Sequence, residues 1–285
     1  MGNIIWLASY PKSGNTWFRT FLSNLLCETD EEISINNMKT DGIFSSRQIV
    51  GKVTGIETTD LTADEIDRLR PAAYHYLAET AEKQLFIKAH DAYTFLEDGT
   101  PLMGTVRAKA VYILRNPLDV AVSFSNHLSK DIDTTIRHMG DENFCFCNNT
   151  AKAQNQVRQK LLTWSLHAES WTQATALPVH LVRYEDMKMN PLETFAAVVR
   201  FIGLDSTREQ ILQAMEASDF QKLKADEQKN GFKEKPYSTA SFFRAGKVGD
   251  WREHLTDAQR DRILTDHAAV MRKFGYLDDQ GNPVY

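Results

Sequence analysis

Four short apolar runs set the limits on this chain. They are Asn3–Ser9 (NIIWLAS), Leu85–Ala89 (LFIKA), Lys109–Leu114 (KAVYIL) and Val179–Arg183 (VHLVR). Runs this short and this continuous predict strands buried on both faces, because a strand with one wet face would alternate. Helical periods lie between them. Thr16–Cys27 offers Trp17, Phe21, Leu22 and Leu25 to an interior. Thr62-Ala-Asp-Glu65 is a capping box that opens a helix to about Glu82. Further helices are expected from Pro117 to about Ser129, over about 154–175, over Pro191–Ile202 and Ser206–Ala217, and from Thr256 to about Phe274. Residues 28–60 and 221–250 are polar and rich in turn formers, so they are expected as loops. Strands alternating with helices predict an α/β fold with a parallel sheet flanked by helices on both faces. No repeat, linker or composition break interrupts residues 1–285, which read as a single domain.

Charge narrows the function. Lys+Arg 33 against Asp+Glu 38 gives a net charge of −5, which argues against a protein that coats nucleic acid. A small anionic ligand depends on clustering and not on the sum. The three cysteines, Cys27, Cys145 and Cys147, suit a reducing compartment. Cys145 and Cys147 lack the second pair of a zinc set, so no metal site is expected. The start of the chain has no basic region followed by a cleavage site, and no apolar run nears the roughly 20 residues of a membrane span. The expected location is cytoplasmic, and the Asn148-Asn149-Thr150 glycosylation match then has no consequence.

In a parallel sheet, ligands gather beyond the carboxyl ends of the strands. Tyr10-Pro-Lys-Ser-Gly-Asn-Thr-Trp17 follows the first strand and opens the first helix. Backbone N–H groups at such a turn form an anion site, Gly14 permits close approach, and Lys12, Ser13, Asn15 and Thr16 add donors. The order Lys-Ser-Gly differs from the Gly-x4-Gly-Lys of an NTPase loop. Lys88-Ala-His90 ends the second strand, where the two-residue period turns Lys88 and His90 the same way. Arg115-Asn-Pro-Leu-Asp-Val-Ala-Val-Ser123 follows the third strand, with Ser123 two helical turns beyond Arg115. Tyr184-Glu-Asp-Met-Lys-Met-Asn-Pro191 follows the fourth and reads otherwise as the loop leading into a helix. Phe243-Arg-Ala-Gly-Lys-Val-Gly-Asp-Trp251 reads as a flexible basic flap able to close over an anion, or as a solvated charged loop.

Together these segments resemble the cytosolic-type sulfotransferases that use 3′-phosphoadenosine-5′-phosphosulfate (PAPS), over nearly the whole chain. The resemblance implies a P-loop-type sulfotransferase fold, PAPS as sulfuryl donor, the 3′,5′-bisphosphate PAP as product, and no metal requirement. It implies that Lys12, Ser13, Gly14, Asn15 and Thr16 hold the 5′-phosphosulfate, with Trp17 stacked on adenine. Arg115, Ser123 and Arg244 would hold the 3′-phosphate, and Tyr184, Ser218 and Phe220 would stand at the adenine. Gly246 belongs to the same flap, and Ala245 replaces the family's Lys there, with Lys247 as its candidate substitute. Lys12, Lys88 and His90 would be catalytic, His90 as the base, although Ala89 stands where the family has Thr. The family's dimerisation motif, Lys-x3-Thr-Val-x3-Glu, is not found in 229–243, so a homodimer would use another interface. The expected acceptor is a small neutral or cationic molecule with an apolar part, carrying a hydroxyl or amine. Phe44, Tyr93, Phe95, Phe124, Phe144, Phe146, Phe242 and Phe243 are candidates to line its pocket, or ordinary core. Two rival readings are a nucleotide-dependent kinase-like phosphotransferase and a non-catalytic nucleotide-binding protein on the same fold.

Overall fold

The computed structural model describes residues 4–28, 32–105, 107–148 and 154–285. Four strands form one sheet: β1 (Ile4–Ser9), β2 (Leu85–Ala89), β3 (Ala108–Leu114) and β6 (Val179–Arg183), in the order β2-β1-β3-β6. β1 and β2 run parallel, in register from Ile4 opposite Leu85 to Ala8 opposite Ala89. All six residues of β1 are buried, as a strand covered on both faces requires. The short strands β4 (Cys145–Phe146) and β5 (Gln159–Lys160) pair antiparallel.

The expected helices are α1 (Asn15–Leu25), α3 (Ala63–Thr80), α4 (Pro117–Leu128), α8 (Pro191–Ile202), α9 (Arg208–Ala217) and α11 (Asp257–Lys273). Complete capping boxes open α3, α9 and α11. Four expectations need correction. Residues 28–60 contain α2 (Arg47–Thr54), capped by Ser46, whose hydroxyl accepts from the Ile49 N–H, and ended by left-handed Gly55. Its sequence carries Gly51 and four β-branched residues, and the packing of Val50 on Ile66 and Val157 outweighs that poor propensity. Residues 221–250 are not all loop: α10 (Phe220–Asn230) starts at the Asp219 cap and buries Leu223 against Ile35, Phe232 and Phe243. The helix expected over 154–175 is only α6 (Trp164–Thr172), because Leu162 is left-handed (φ 58°) and Thr163 caps a new start. The loop expected after β6 is the helix α7 (Tyr184–Met189). The sequence reading also offered no element for α5 (Ile132–Met139).

Two compact units emerge, each woven from three stretches of chain. The first takes residues up to Tyr10, Asp41–Tyr112 and Asp141–Leu181; the second takes Pro11–Thr40, Ile113–Gly140 and Val182–Tyr285. In the first, Trp6 meets the edges of Phe44 and Tyr74, which stack on each other at 4.2 Å. The fully buried Arg70 lies over Phe44 and pairs with Asp67 and Asp91. In the second, Phe18 and Phe21 of α1 pack on Phe195 of α8. Of the aromatics considered for an acceptor pocket, Phe44, Tyr93, Phe124 and Phe243 are buried, whereas Phe95 is 56% exposed. No helix among the described residues is long and apolar enough to cross a membrane.

Candidate active site

The second unit holds the turn from Pro11 to Gly14. Lys12 (φ 68°) and Gly14 (φ 105°) are both left-handed, so the chain doubles back twice before α1 begins at Asn15. That conformation is unfavourable for a lysine, and such strain gathers at functional sites. A Cβ on Gly14 would lie 2.7 Å from the Tyr184 ring, so only glycine fits. Gly14 is also the N-cap of α1 and offers no side-chain acceptor, so no side chain caps the first turn. Asn15 and Thr16 are buried beside it. Ser13 is fully buried, and its Oγ has no hydrogen-bond partner among the described residues. A buried hydroxyl in that state is costly and points to an absent partner. A phosphate or sulfate oxygen meets that demand, so these residues fit the anionic end of a nucleotide donor.

Trp17 is half-buried, edge-on to Tyr184 and Phe195, with the Lys188 ammonium 5.3 Å from its ring centre. Lys188 is a site neighbour that sequence reasoning passed over inside the Tyr184–Pro191 motif. Tyr184 itself is 5% exposed and lies under Gly14 and the Arg115 guanidinium, which is 4.3 Å from its ring centre.

Arg115 donates to the carbonyls of Lys12 (3.1 Å) and Lys247 (3.0 Å), joining the loop to the 243–251 segment. Ser123 lies further along α4 and is partly exposed. The flap expectation needs correction, because this segment is tied down. The Asp119 carboxylate accepts from the N–H groups of Gly249 (2.9 Å) and Trp251 (3.0 Å). Gly246 is left-handed, and a Cβ there would strike the Phe220 ring at 2.6 Å. The Arg244 guanidinium bonds to Asp250 and approaches His254. Arg244 and His254 border an open cavity of about 440 Å³ shared with Asn126, Lys130 and Thr239. Asp250, Glu253 and His254 are near enough to surround a cation, but a guanidinium already bonds Asp250. Ala245 stands between Arg244 and the left-handed Gly246, and the exposed Lys247 offers its carbonyl to Arg115. Ser218 is buried at the end of α9, and its Oγ donates to the Ala214 carbonyl. Phe220 begins α10.

Lys88 and His90 lie in the first unit. Lys88 is half-buried on β2, and its main chain bonds to Gly42 and Phe44. His90 Nδ1 is 2.9 Å from the Ser9 carbonyl. A carbonyl only accepts, so Nδ1 carries the hydrogen and Nε2 keeps the basic lone pair. The His90 carbonyl accepts from His167 Nε2 (3.1 Å), and His167 Nδ1 therefore accepts from the Tyr112 hydroxyl (2.9 Å). Burial lowers the His167 pKa to about 4, so it stays neutral. The next residue, Asp91, is held by Arg70, and its carbonyl accepts from the Trp171 indole. Neither His167 nor Trp171 stands in a recognisable motif, and only the fold identifies them.

A family model described as a sulfotransferase domain matches residues 3–275. The chain belongs to the sulfotransferase domain family. It is an enzyme of the sulfotransferase class, and its α/β fold with a parallel sheet agrees with that family. Dog sulfotransferase 1A1 is 26% identical over 280 residues, covering 94% of this chain and 83% of its own. Cytosolic sulfotransferase 1 of Arabidopsis thaliana is 27% identical over 279 residues, covering 90% and 75%. Among solved structures, mouse sulfotransferase SULT7A1 complexed with PAP is 19% identical, with a TM-score of 0.57, covering 98% of this chain and 87% of that one. Retinol dehydratase in complex with androsterone and inactive cofactor PAP is 17% identical, with a TM-score of 0.61, covering 95% and 81%. At these identities the structures speak for the fold.

Proposed function

We propose that this enzyme transfers the sulfuryl group of PAPS to a hydroxyl or amine of a small acceptor, with His90 as general base. The buried, unpartnered Ser13 hydroxyl in the left-handed Lys12–Gly14 turn carries the donor reading, because it calls for an anionic oxygen there. The PAP-bound relatives support the identity of that donor. Bound PAPS supplies a sulfuryl group activated by its phosphate leaving group.

Lys12 and the N-terminal amides of α1 take the charge that grows on the leaving phosphate. Lys88 would neutralise charge on the sulfuryl oxygens. His90 Nε2 removes the acceptor proton, while the Nδ1–H bond to Ser9 fixes the ring and supports the imidazolium that forms. Arg115, Ser123 and Arg244 hold the 3′-phosphate, and Arg244 must exchange Asp250 for it. Trp17, Tyr184, Ser218 and Phe220 frame the adenine. Ala245 and Gly246 offer backbone to the phosphate, with Lys247 as the neighbouring cation.

The whole chain acts as one sulfotransferase domain in the cytoplasm, consistent with sparse cysteine and with relatives named cytosolic. It needs no metal, since lysine and arginine supply the positive charge. The acceptor is small, neutral or cationic, with an apolar part; a relative's structure holds androsterone.

His90→Ala should lower turnover by roughly 10²–10⁴-fold with donor affinity unchanged, and near-normal turnover would remove His90 from the base role. Adenosine 5′-phosphosulfate, which lacks the 3′-phosphate, should bind more weakly than PAPS; equal affinity would overturn the Arg115 and Arg244 assignment. Chelator should leave transfer unchanged.

A further inference from the structure

The Lys12 ammonium sits 3.5 Å from the centre of the Phe242 ring and 3.5 Å from the Phe242 carbonyl oxygen. A cation this close to a ring face is attracted by the ring's quadrupole. The left-handed backbone at Lys12 and the fixed position of Phe242 together set this contact.

The ring is held from behind. Glu227 of α10 is 7% exposed, and its carboxylate accepts from the N–H of Phe242 (2.7 Å), the N–H of Phe243 (2.9 Å) and the Ser241 hydroxyl (3.2 Å). Phe242 also packs edge-on to Phe232, at 4.8 Å between ring centres, and to Phe243. One acidic side chain therefore fixes three consecutive residues, and the middle one carries the ring.

We propose that Phe242 is a positioning residue that seats the Lys12 ammonium for the 5′ end of the nucleotide, with Glu227 holding Phe242 in place. The proposal rests on the reading that Lys12 binds the 5′ group. A long lysine side chain loses rotamer freedom when it binds a phosphate. A ring that confines it beforehand removes part of that loss, as preorganisation does generally.

The test compares two nucleotides by calorimetry on the full chain: PAP, which has a 5′-phosphate, and adenosine 3′-monophosphate, which does not. Lys12→Met should weaken PAP and leave the 3′-monophosphate unchanged. Equal loss for both, or for neither, would remove Lys12 from the 5′ end and take the underlying reading with it. Given the expected Lys12 result, Phe242→Leu should weaken PAP by about five- to thirty-fold and spare the 3′-monophosphate. Phe242→Tyr should restore most of the loss. In the Lys12→Met background, Phe242→Leu should have no further effect. An unchanged PAP affinity in Phe242→Leu, equal loss for both nucleotides, or full additivity with Lys12→Met would each overturn the role of Phe242. Should Phe242→Leu fold poorly, progressive fluorination of the Phe242 ring keeps its shape and weakens its quadrupole. PAP affinity should then fall with each fluorine, and a flat series rejects the proposal.

Discussion

Ser13 and Gly14 make opposite demands on neighbouring positions of one loop. The buried Ser13 hydroxyl costs about 1–3 kcal/mol while it lacks a partner. Ser13→Ala should therefore leave the ligand-free protein as stable or up to a few degrees more so, while PAP binding weakens. Melting curves with and without PAP read both effects, and a drop in ligand-free melting temperature would contradict the first. Gly14→Ala places a methyl group against the Tyr184 ring at an unfavourable φ, so both stability and PAP binding should fall. Tyr184→Leu in the same chain should recover part of the lost space but not the backbone strain. These two residues were legible in the sequence because their chemistry is local: a lysine, small residues and a glycine between a strand and a helix. Lys188 and Glu227 were not, since each acts on a residue far away in the chain, Trp17 in one case and the Phe242 segment in the other.

Among the elements, strongly patterned helices were legible and weakly patterned ones were not. α3 and α11 announce themselves by capping boxes that sequence alone displays. α2 and α10 have poor intrinsic patterns, and each is settled by one apolar residue finding a core, Val50 and Leu223. The segment 243–251 was the largest misreading. Its lysine and glycines suggest mobility, yet Asp119 on α4, Arg115 and Glu227 hold it from three directions. The Asp119 carboxylate is 1% exposed, so Asp119→Ala strands a buried N–H at Trp251 and a partly buried one at Gly249. That change should cost about 3 kcal/mol and raise hydrogen exchange at Gly249 and Trp251 before any other part of the segment. Uniform protection in the variant would show that the anchor lies elsewhere.

For the whole molecule, acid stability follows from two buried imidazoles. Burial lowers His167 and His267 to about 4, against roughly 6.5 in an unfolded chain. Between those values the unfolded state binds more protons, so this contribution is complete above about pH 6.5 and is lost as pH falls toward 4. Asp91 opposes it: burial raises its carboxyl to about 6, so its contribution favours the fold at low pH and fades as pH rises through 6. Glu185, also raised by burial, acts in the same sense as Asp91, while Asp64 and Asp226, held below the usual carboxylate range, act with the histidines, so stability should fall on acidification from pH 6.5 to 4.5. Denaturant titrations across that range check the slope, and His267→Gln should make it shallower.

The weaving of the two units has a consequence for synthesis on the ribosome. α1 leaves the exit tunnel long before α9, the helix it packs against, which ends at Ala217. At about 5–20 residues per second, α1 waits roughly 10–40 s for that neighbour. Its apolar face, Phe18, Phe21 and Leu22, is fully buried in the finished fold and meets Phe195 of α8 before it meets α9. β1 waits a shorter time for β2. Vectorial folding can begin with the sheet, but the loop between β1 and α1 gains its final form only after α9 has been made.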